Sequence, residues 1–353
     1  MLNYIMSNKI KKMYKNFLGG NMSILYLTNK YYKLEKKYNT VIIKDKYQNT
    51  KSFPIEKIDR IVIYGKKSIS SQIIFEFLKR DISLLWFSKY GKFLGMLDTK
   101  KRINPTIHKR QFLLSENKDF SLNISKIFII SKIKNCRILL YKYNKKYNAD
   151  FVSESISKMK KYISKIKTSS NKTEILGYEG NCAKLYFKSL NYFLPEEFHF
   201  TSRTKRPPKD PFNSLISFGY TILFYEIYTA IEYAGLNPYI SFMHKARKNY
   251  PSLASDLIEE LRSPIIDSAI VSSLRNKLFT IKDFDYLDKS GAVYLKNKSA
   301  KKLINIFENK INKTHKYYVF DKTFRESLLF QSRSLLNAIK EKNYELYKPL
   351  NIR

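Results

Sequence analysis

The chain has 353 residues, enough for about two domains, and carries 66 Lys+Arg against 30 Asp+Glu, a formal charge of +36. A field of that sign calls for a polyanionic partner or an anionic membrane surface, and no apolar run approaches the ~18–20 residues that span a bilayer. Cys136 and Cys182 are the only cysteines, which excludes a disulfide framework or a cysteine-based metal motif.

Residues 1–21 are basic and poorly patterned, with no signal-peptide apolar core, and read as an extension outside the fold. From Met22 the texture is strand-like: Ser23–Leu27, Thr40–Lys44 and Ile61–Gly65 are short apolar or β-branched runs separated by polar turns. Ser71–Leu78 fits a helix. Ile82–Phe87 and Lys92–Leu97 flank Tyr90-Gly91 and fit a hairpin. Residues 22–98 are therefore expected to form a small β-rich domain, with a linker over 99–108. After Pro105 the period changes to 3.6. Long helices are expected over Lys126–Lys146, Val152–Lys167 and around Glu179, and a core helix, apolar on nearly all sides, over Asn213–Ala234. Asp210 suits the cap of that helix and Pro211 its first turn. Further helices are expected near 253–262, 264–277, 298–312 and 322–340. The fold class is α+β: a β-rich N-terminal domain followed by a large all-helical catalytic domain over 109–353.

Four residues resist explanation by packing. Glu179 falls on one helical stripe with Ile175, Cys182 and Tyr186, and a carboxylate on an apolar stripe is costly unless paired or bound to a metal. Gly177 and Gly180 flank it in a helix they weaken, which suggests close approach of a backbone or ligand. Asp256 and Glu259 are three apart, neighbours on one helix face. They also fit a solvated face paired with Arg262. His244 lies just upstream. Carboxylates with one imidazole suit a first-row divalent ion. The segment Thr201–Pro211 is held extended by prolines and carries Arg203, Lys205, Arg206 and Lys209. It reads as an exposed linker or as a phosphate-contacting, DNA-binding loop.

Together with these residues, several segments make a resemblance specific by their order and spacing. They are Phe53–Gly65, Gly91–Gly95, Lys132-Ile133-Lys134-Asn135, Gly177-Tyr178-Glu179-Gly180, Arg206–Asn213, Leu215–Tyr220, Asp256–Arg262 and Tyr347-Lys348-Pro349-Leu350. The chain resembles the CRISPR-associated protein one family, the integrase and endonuclease of CRISPR adaptation, from Met22 onward. The resemblance implies that Glu179, His244 and Glu259 bind Mg²⁺ or Mn²⁺ and that Asp256 is also needed for activity. It implies attack by the 3′-OH of a prespacer duplex on the end of a CRISPR repeat. It further implies cleavage of branched or ordinary DNA, double-stranded DNA as partner, a homodimer formed through the β-rich domain, and CRISPR-associated protein two as a further partner; the two cysteines and the lack of a spanning or signal segment fit a reducing, cytoplasmic setting without a membrane. One departure is Ser263, which separates Arg262 from Pro264 where many members have Arg directly before Pro. The competing expectations are a metal-dependent repair or branched-DNA nuclease without integration, and an inert nucleic-acid scaffold.

Overall fold

The computed structural model describes residues 23–27, 33–45, 47, 49–88, 90–97, 103–288, 290–317 and 320–352. The basic extension 1–21 and positions 99–102 of the expected linker lie outside them. Two compact units divide between Lys100 and Lys101.

The first unit is built on two four-stranded sheets. One runs in the order β1 (Ser23–Leu27), β5 (Ile58–Tyr64), β7 (Ser83–Phe87), β8 (Phe93–Leu97). β1, β5 and β7 are parallel, with Ile61 opposite Leu84 and Ile63 opposite Trp86. β5 is buried along nearly its whole length, as a central parallel strand should be. β7 and β8 form the expected antiparallel hairpin, turning where Gly91 adopts φ +82°. The other sheet runs β4 (Thr50–Pro54), β3 (Thr40–Lys44), β2 (Lys33–Lys37), β6 (Ser68–Ile69). Helix α1 (Ser71–Lys79) places Ile73 and Phe77 in a core with Leu34, Val41, Ile55 and Ile63. The alternation of strands and the single amphipathic helix thus bury one continuous apolar set.

The second unit is mainly helical. Its first helix, α2 (Pro105–Glu116), starts within the expected linker and is capped by Asn104, whose side chain accepts from Ile107 N. Then come α3 (Lys118–Tyr147), α4 (Asp150–Thr168) and α5 (Lys172–Asn191), packed on one another. α6 (Pro211–Tyr233) is capped by Asp210 at Asn213 N and carries Pro211 in its first turn. By length and composition α6 would suit a membrane span, contrary to the expectation that no apolar run approaches that size. Yet 72% of its most apolar window is buried inside the unit, which makes it the core helix. The short α7 (Ser252–Ile258) leads into a π-helical turn, Arg262–Asp267, and then α8 (Ser268–Arg275). α9 (Asn297–Ile311) and α10 (Phe324–Lys340) follow. Two two-stranded hairpins interrupt the helices: β9 (Phe284–Leu287) with β10 (Ala292–Leu295), and β11 (Thr314–Tyr317) with β12 (Phe320–Thr323).

The segment Tyr347–Ile352 is drawn into the middle of this unit. The buried carboxyl of Glu260 accepts from Tyr347 OH at 2.8 Å, Leu350 N at 2.8 Å and Gln331 Nε2 at 3.0 Å. Asn135 on α3 donates to the carbonyls of Glu260 and Leu350 and accepts from Ile352 N. These bonds fasten the chain directly behind Glu259.

Candidate active site

Glu179 is positioned by its helical stripe. Ile175, Cys182 and Tyr186 are all buried, so the residue between them is carried to the same inner face of α5. Glu259 follows the last turn of α7 and is 6% exposed. The two carboxylates converge on the ammonium of Lys132 from α3. Lys132 Nζ contacts Glu179 Oε1 and lies 2.6 Å from Glu259 Oε2. Glu259 Oε1 is held by Arg262 Nη2 at 3.0 Å. Burial alone would raise Glu259, but Arg262 and Lys132 outweigh it and hold the carboxyl at about 2. Burial likewise opposes the charge of Lys132, and the two glutamates reverse it, raising its pKa.

His244 and Asp256 form the second half. Asp256 is fully buried. Its Oδ2 accepts from Phe242 N at 2.7 Å and Met243 N at 3.0 Å, and its Oδ1 from His244 N at 3.0 Å and His244 Nδ1 at 2.7 Å. A carboxylate only accepts, so the imidazole donates from Nδ1, and its neutral form presents a lone pair at Nε2. Burial pulls the His244 pKa down, but the Asp256 bond and charge exceed it and raise the value.

Asp256 is thus turned away from Glu259 and serves the turn that holds the histidine. Among the described residues, no three His, Cys, Asp or Glu side chains stand close enough together to hold a metal as they are placed. Lys132 lies between the two glutamates, where it satisfies their charge. The donor set itself suits a divalent ion: two carboxylates from separate elements and an imidazole Nε2. In addition, Glu259 Oε2 has no hydrogen bond of proper geometry, only the ion pair to Lys132.

The loop Thr201–Pro211 divides its cations between two uses. Arg203 is turned inward, its Nη1 donating to the Thr204 carbonyl and, at 2.6 Å, to Asn213 Oδ1, with Nη2 3.1 Å from Ser217 Oγ. Lys209 Nζ donates to the Ser290 carbonyl, and Val293 N to that of Pro208, so β10 and its turn brace the loop. Lys205 and Arg206 are exposed. Partial burial and the neighbouring Arg262 and Arg203 lower the Lys205 pKa. Lys205 therefore lies close to the acid cluster.

Lys132 and Tyr220 fall in segments that carry the resemblance but had no role expected of them, and Asp267 carries no signal in the sequence. Tyr220 lies between two guanidiniums, Arg262 at 4.8 Å and Arg203 at 5.5 Å from its ring centre. Asp267 accepts from Tyr220 OH at 2.6 Å and Tyr186 OH at 2.7 Å. The expected close approach at Gly177 and Gly180 is not intramolecular: a Cβ at either would meet nothing within 4 Å. Gly219 is the packed glycine, where an added Cβ would stand 2.7 Å from Ile266 Cγ2.

A profile of the family described as CRISPR associated protein Cas1 matches residues 25–309. The chain is similar to the CRISPR-associated endonuclease Cas1 of Mycobacterium tuberculosis, with 31% identity over 319 residues, 90% of this chain and 94% of that protein. Among solved structures it is similar to a casposase bound to integration product, with a TM-score of 0.80 and 25% identity, covering 93% of this chain and 95% of that one. It also shares its fold with part of a chain from a Cas6-RT-Cas1–Cas2 complex, with a TM-score of 0.81 and 24% identity, covering 95% of this chain but only 36% of that longer one. With a profile match over most of its length and a relative of that identity over nine-tenths of it, the chain belongs to the CRISPR-associated protein Cas1 family.

Proposed function

We propose that the protein is a metal-dependent DNA endonuclease and integrase that inserts prespacer duplexes at CRISPR repeats. The observation that carries this reading is the convergence of Glu179 and Glu259 on the ammonium of Lys132, with His244 held separately by Asp256 and with Lys205 and Arg206 exposed on the basic loop. The similarity to a casposase bound to integration product supports joining as well as cutting.

In joining, the oxygen of a 3′-OH attacks phosphorus in line. The new P–O bond forms as the target's own P–O3′ bond breaks, and the proton of the attacking hydroxyl ends on the departing 3′ oxygen. Lys205 and Arg206 offer exposed cations to the phosphates. Arg262 fixes one oxygen of Glu259, and Asp256 fixes the ring of His244, so neither group reorients during the reaction. Mg²⁺ or Mn²⁺ would be held by Glu179, Glu259 and His244 Nε2, and would supply positive charge to the scissile phosphate and acidify the attacking hydroxyl. With water in place of the 3′-OH the same groups cleave DNA.

The partners in this reading are double-stranded DNA, a second copy of the chain, and CRISPR-associated protein two. The β-rich unit is the proposed dimer and partner surface. Its edge strand β4 exposes Thr50, Lys51 and Ser52, a ready edge for further pairing.

The test is strand transfer of a labelled short duplex with 3′-OH ends into a supercoiled plasmid carrying a repeat, with the partner protein present. Joining in Mn²⁺ that disappears in EDTA and in Glu179→Ala and His244→Ala is the expected result. Cleavage without joining would replace this reading by a plain nuclease, and tight binding with neither would leave a scaffold.

A further inference from the structure

We propose that Lys132 is an internal cation that holds Glu179 and Glu259 together in the metal-free protein and is displaced from between them when a divalent ion binds. The inference rests on the metal-dependent reading above.

Three observations lead to it. First, the ammonium bridges carboxylates from two separate elements, α5 and the segment after α7, while itself coming from a third, α3. Two carboxylates this close repel each other, and the ammonium between them offsets that repulsion and keeps them facing one another.

Second, Glu259 divides its oxygens. Oε1 is fixed by Arg262, whose planar guanidinium is stacked on Tyr220 at 4.8 Å. Oε2 has only Lys132, at 2.6 Å and without hydrogen-bond geometry. An acceptor held in place by one oxygen, with the other bound only by an ion pair, can change cations without moving. Arg262 is the permanent partner and Lys132 the exchangeable one.

Third, the means of withdrawal are present. A lysine ammonium is a point charge on a flexible four-carbon stem, so it can leave without moving its helix, unlike a stacked guanidinium. The cluster is not sealed. The side chains of Lys132 and Glu179 remain 16% and 22% exposed, so an ion can enter and the ammonium can move toward solvent. The arrangement also accounts for the lack of any ready-made metal cluster among the described residues. The ligands are present, and the lysine stands in for the ion.

Direct Mn²⁺ binding tests this. Full-length wild type and Lys132→Met, both freed of metal, are titrated with Mn²⁺ while the free ion is followed by electron paramagnetic resonance, without DNA. Loss of the competing cation should tighten binding by about tenfold or more. Equal or weaker binding in Lys132→Met overturns the proposal and leaves the metal reading intact. If neither protein binds Mn²⁺, the metal reading itself falls and this inference with it. A second measurement needs no variant. Reductive methylation of wild type, mapped by mass spectrometry, should label Lys132 slowly without metal and several-fold faster with saturating Mn²⁺, while exposed lysines away from the cluster such as Lys282 label at unchanged rates. Unchanged protection of Lys132 under conditions where Mn²⁺ is bound overturns the proposal.

Discussion

Asp256 has no solvent contact and four donors, and those donors separate two kinds of damage. In Asp256→Ala the amides of Phe242, Met243 and His244 lose their acceptor, and the stability lost should be about 3 kcal/mol or more, read from urea unfolding. Asp256→Asn keeps an acceptor for the turn but presents an amide donor to Nδ1, which favours the tautomer with its proton on Nε2. That variant should stay folded, yet lose about 10–100-fold in joining, the usual effect of removing a group that orients a ligand. Glu179 stood out because a charge on an apolar stripe is anomalous, and Glu259 through its three-residue spacing from Asp256. Lys132 did not, because one cation among 66 Lys+Arg carries no signal and its partner Glu179 is 47 residues away. Arg203 was expected to line a DNA-binding loop, and nothing local showed that it folds back on Asn213 and Ser217.

Among the elements, the glycines of α5 and α6 make a sharper test than their sequence context suggests. Gly177 and Gly180 face open space, so Gly177→Ala and Gly180→Ala should each stabilise α5 by up to about 1 kcal/mol. Gly219 lets α6 approach the π-helical turn, and Gly219→Ala should destabilise by roughly 1–3 kcal/mol through overpacking against Ile266. Thermal melts of the three variants should therefore move in opposite directions. The long helices were legible from their period because each buries one face. α2 was not, since Phe112 and Leu113 are exposed and only Ile107 and Gln111 are buried, leaving no apolar stripe to detect. The hairpins β9–β10 and β11–β12 have four-residue strands, too short for alternation to stand out. The end of α7 was also misplaced. The expected helix over 253–262 stops at Ile258, and the chain continues into a π-helical turn, which accommodates one residue more than an α turn. Arg262, at the start of that turn, reaches back to Glu259.

For the whole molecule, charge and pH act together. Glu259, ordinarily at 4.5, is held at about 2, so its stabilisation is complete above pH 4.5 and disappears only as pH falls through 2. Glu260 and Asp267 behave in the opposite sense. Burial lifts Glu260 to about 8 and Asp267 to about 6, so each keeps its proton in the fold after the unfolded chain has released it. Stability should therefore decline from about pH 5 to pH 8, and His244, with its raised pKa, adds to the decline. Melting temperatures across that range should fall in wild type and fall less in Glu260→Gln. The net charge of +36 sets the other condition, ionic strength. DNA affinity should decrease steeply with salt, and Lys205→Ala and Arg206→Ala should each reduce the logarithmic slope by about 1. Arg203→Ala should instead lower stability, because its guanidinium bonds to Asn213 and Ser217.

The fastening of Tyr347–Ile352 behind Glu259 also orders events in time. Asn135 meets Leu350 and Ile352 across sequence separations of 215 and 217. Closing so wide a span is entropically late and slow relative to forming the helices themselves. During synthesis Lys132, Glu179 and Glu259 emerge well before Leu350, so the acids are made first and braced last. A nascent chain can thus carry Lys132, Glu179 and Glu259 before the bonds that fasten the chain behind Glu259 can form.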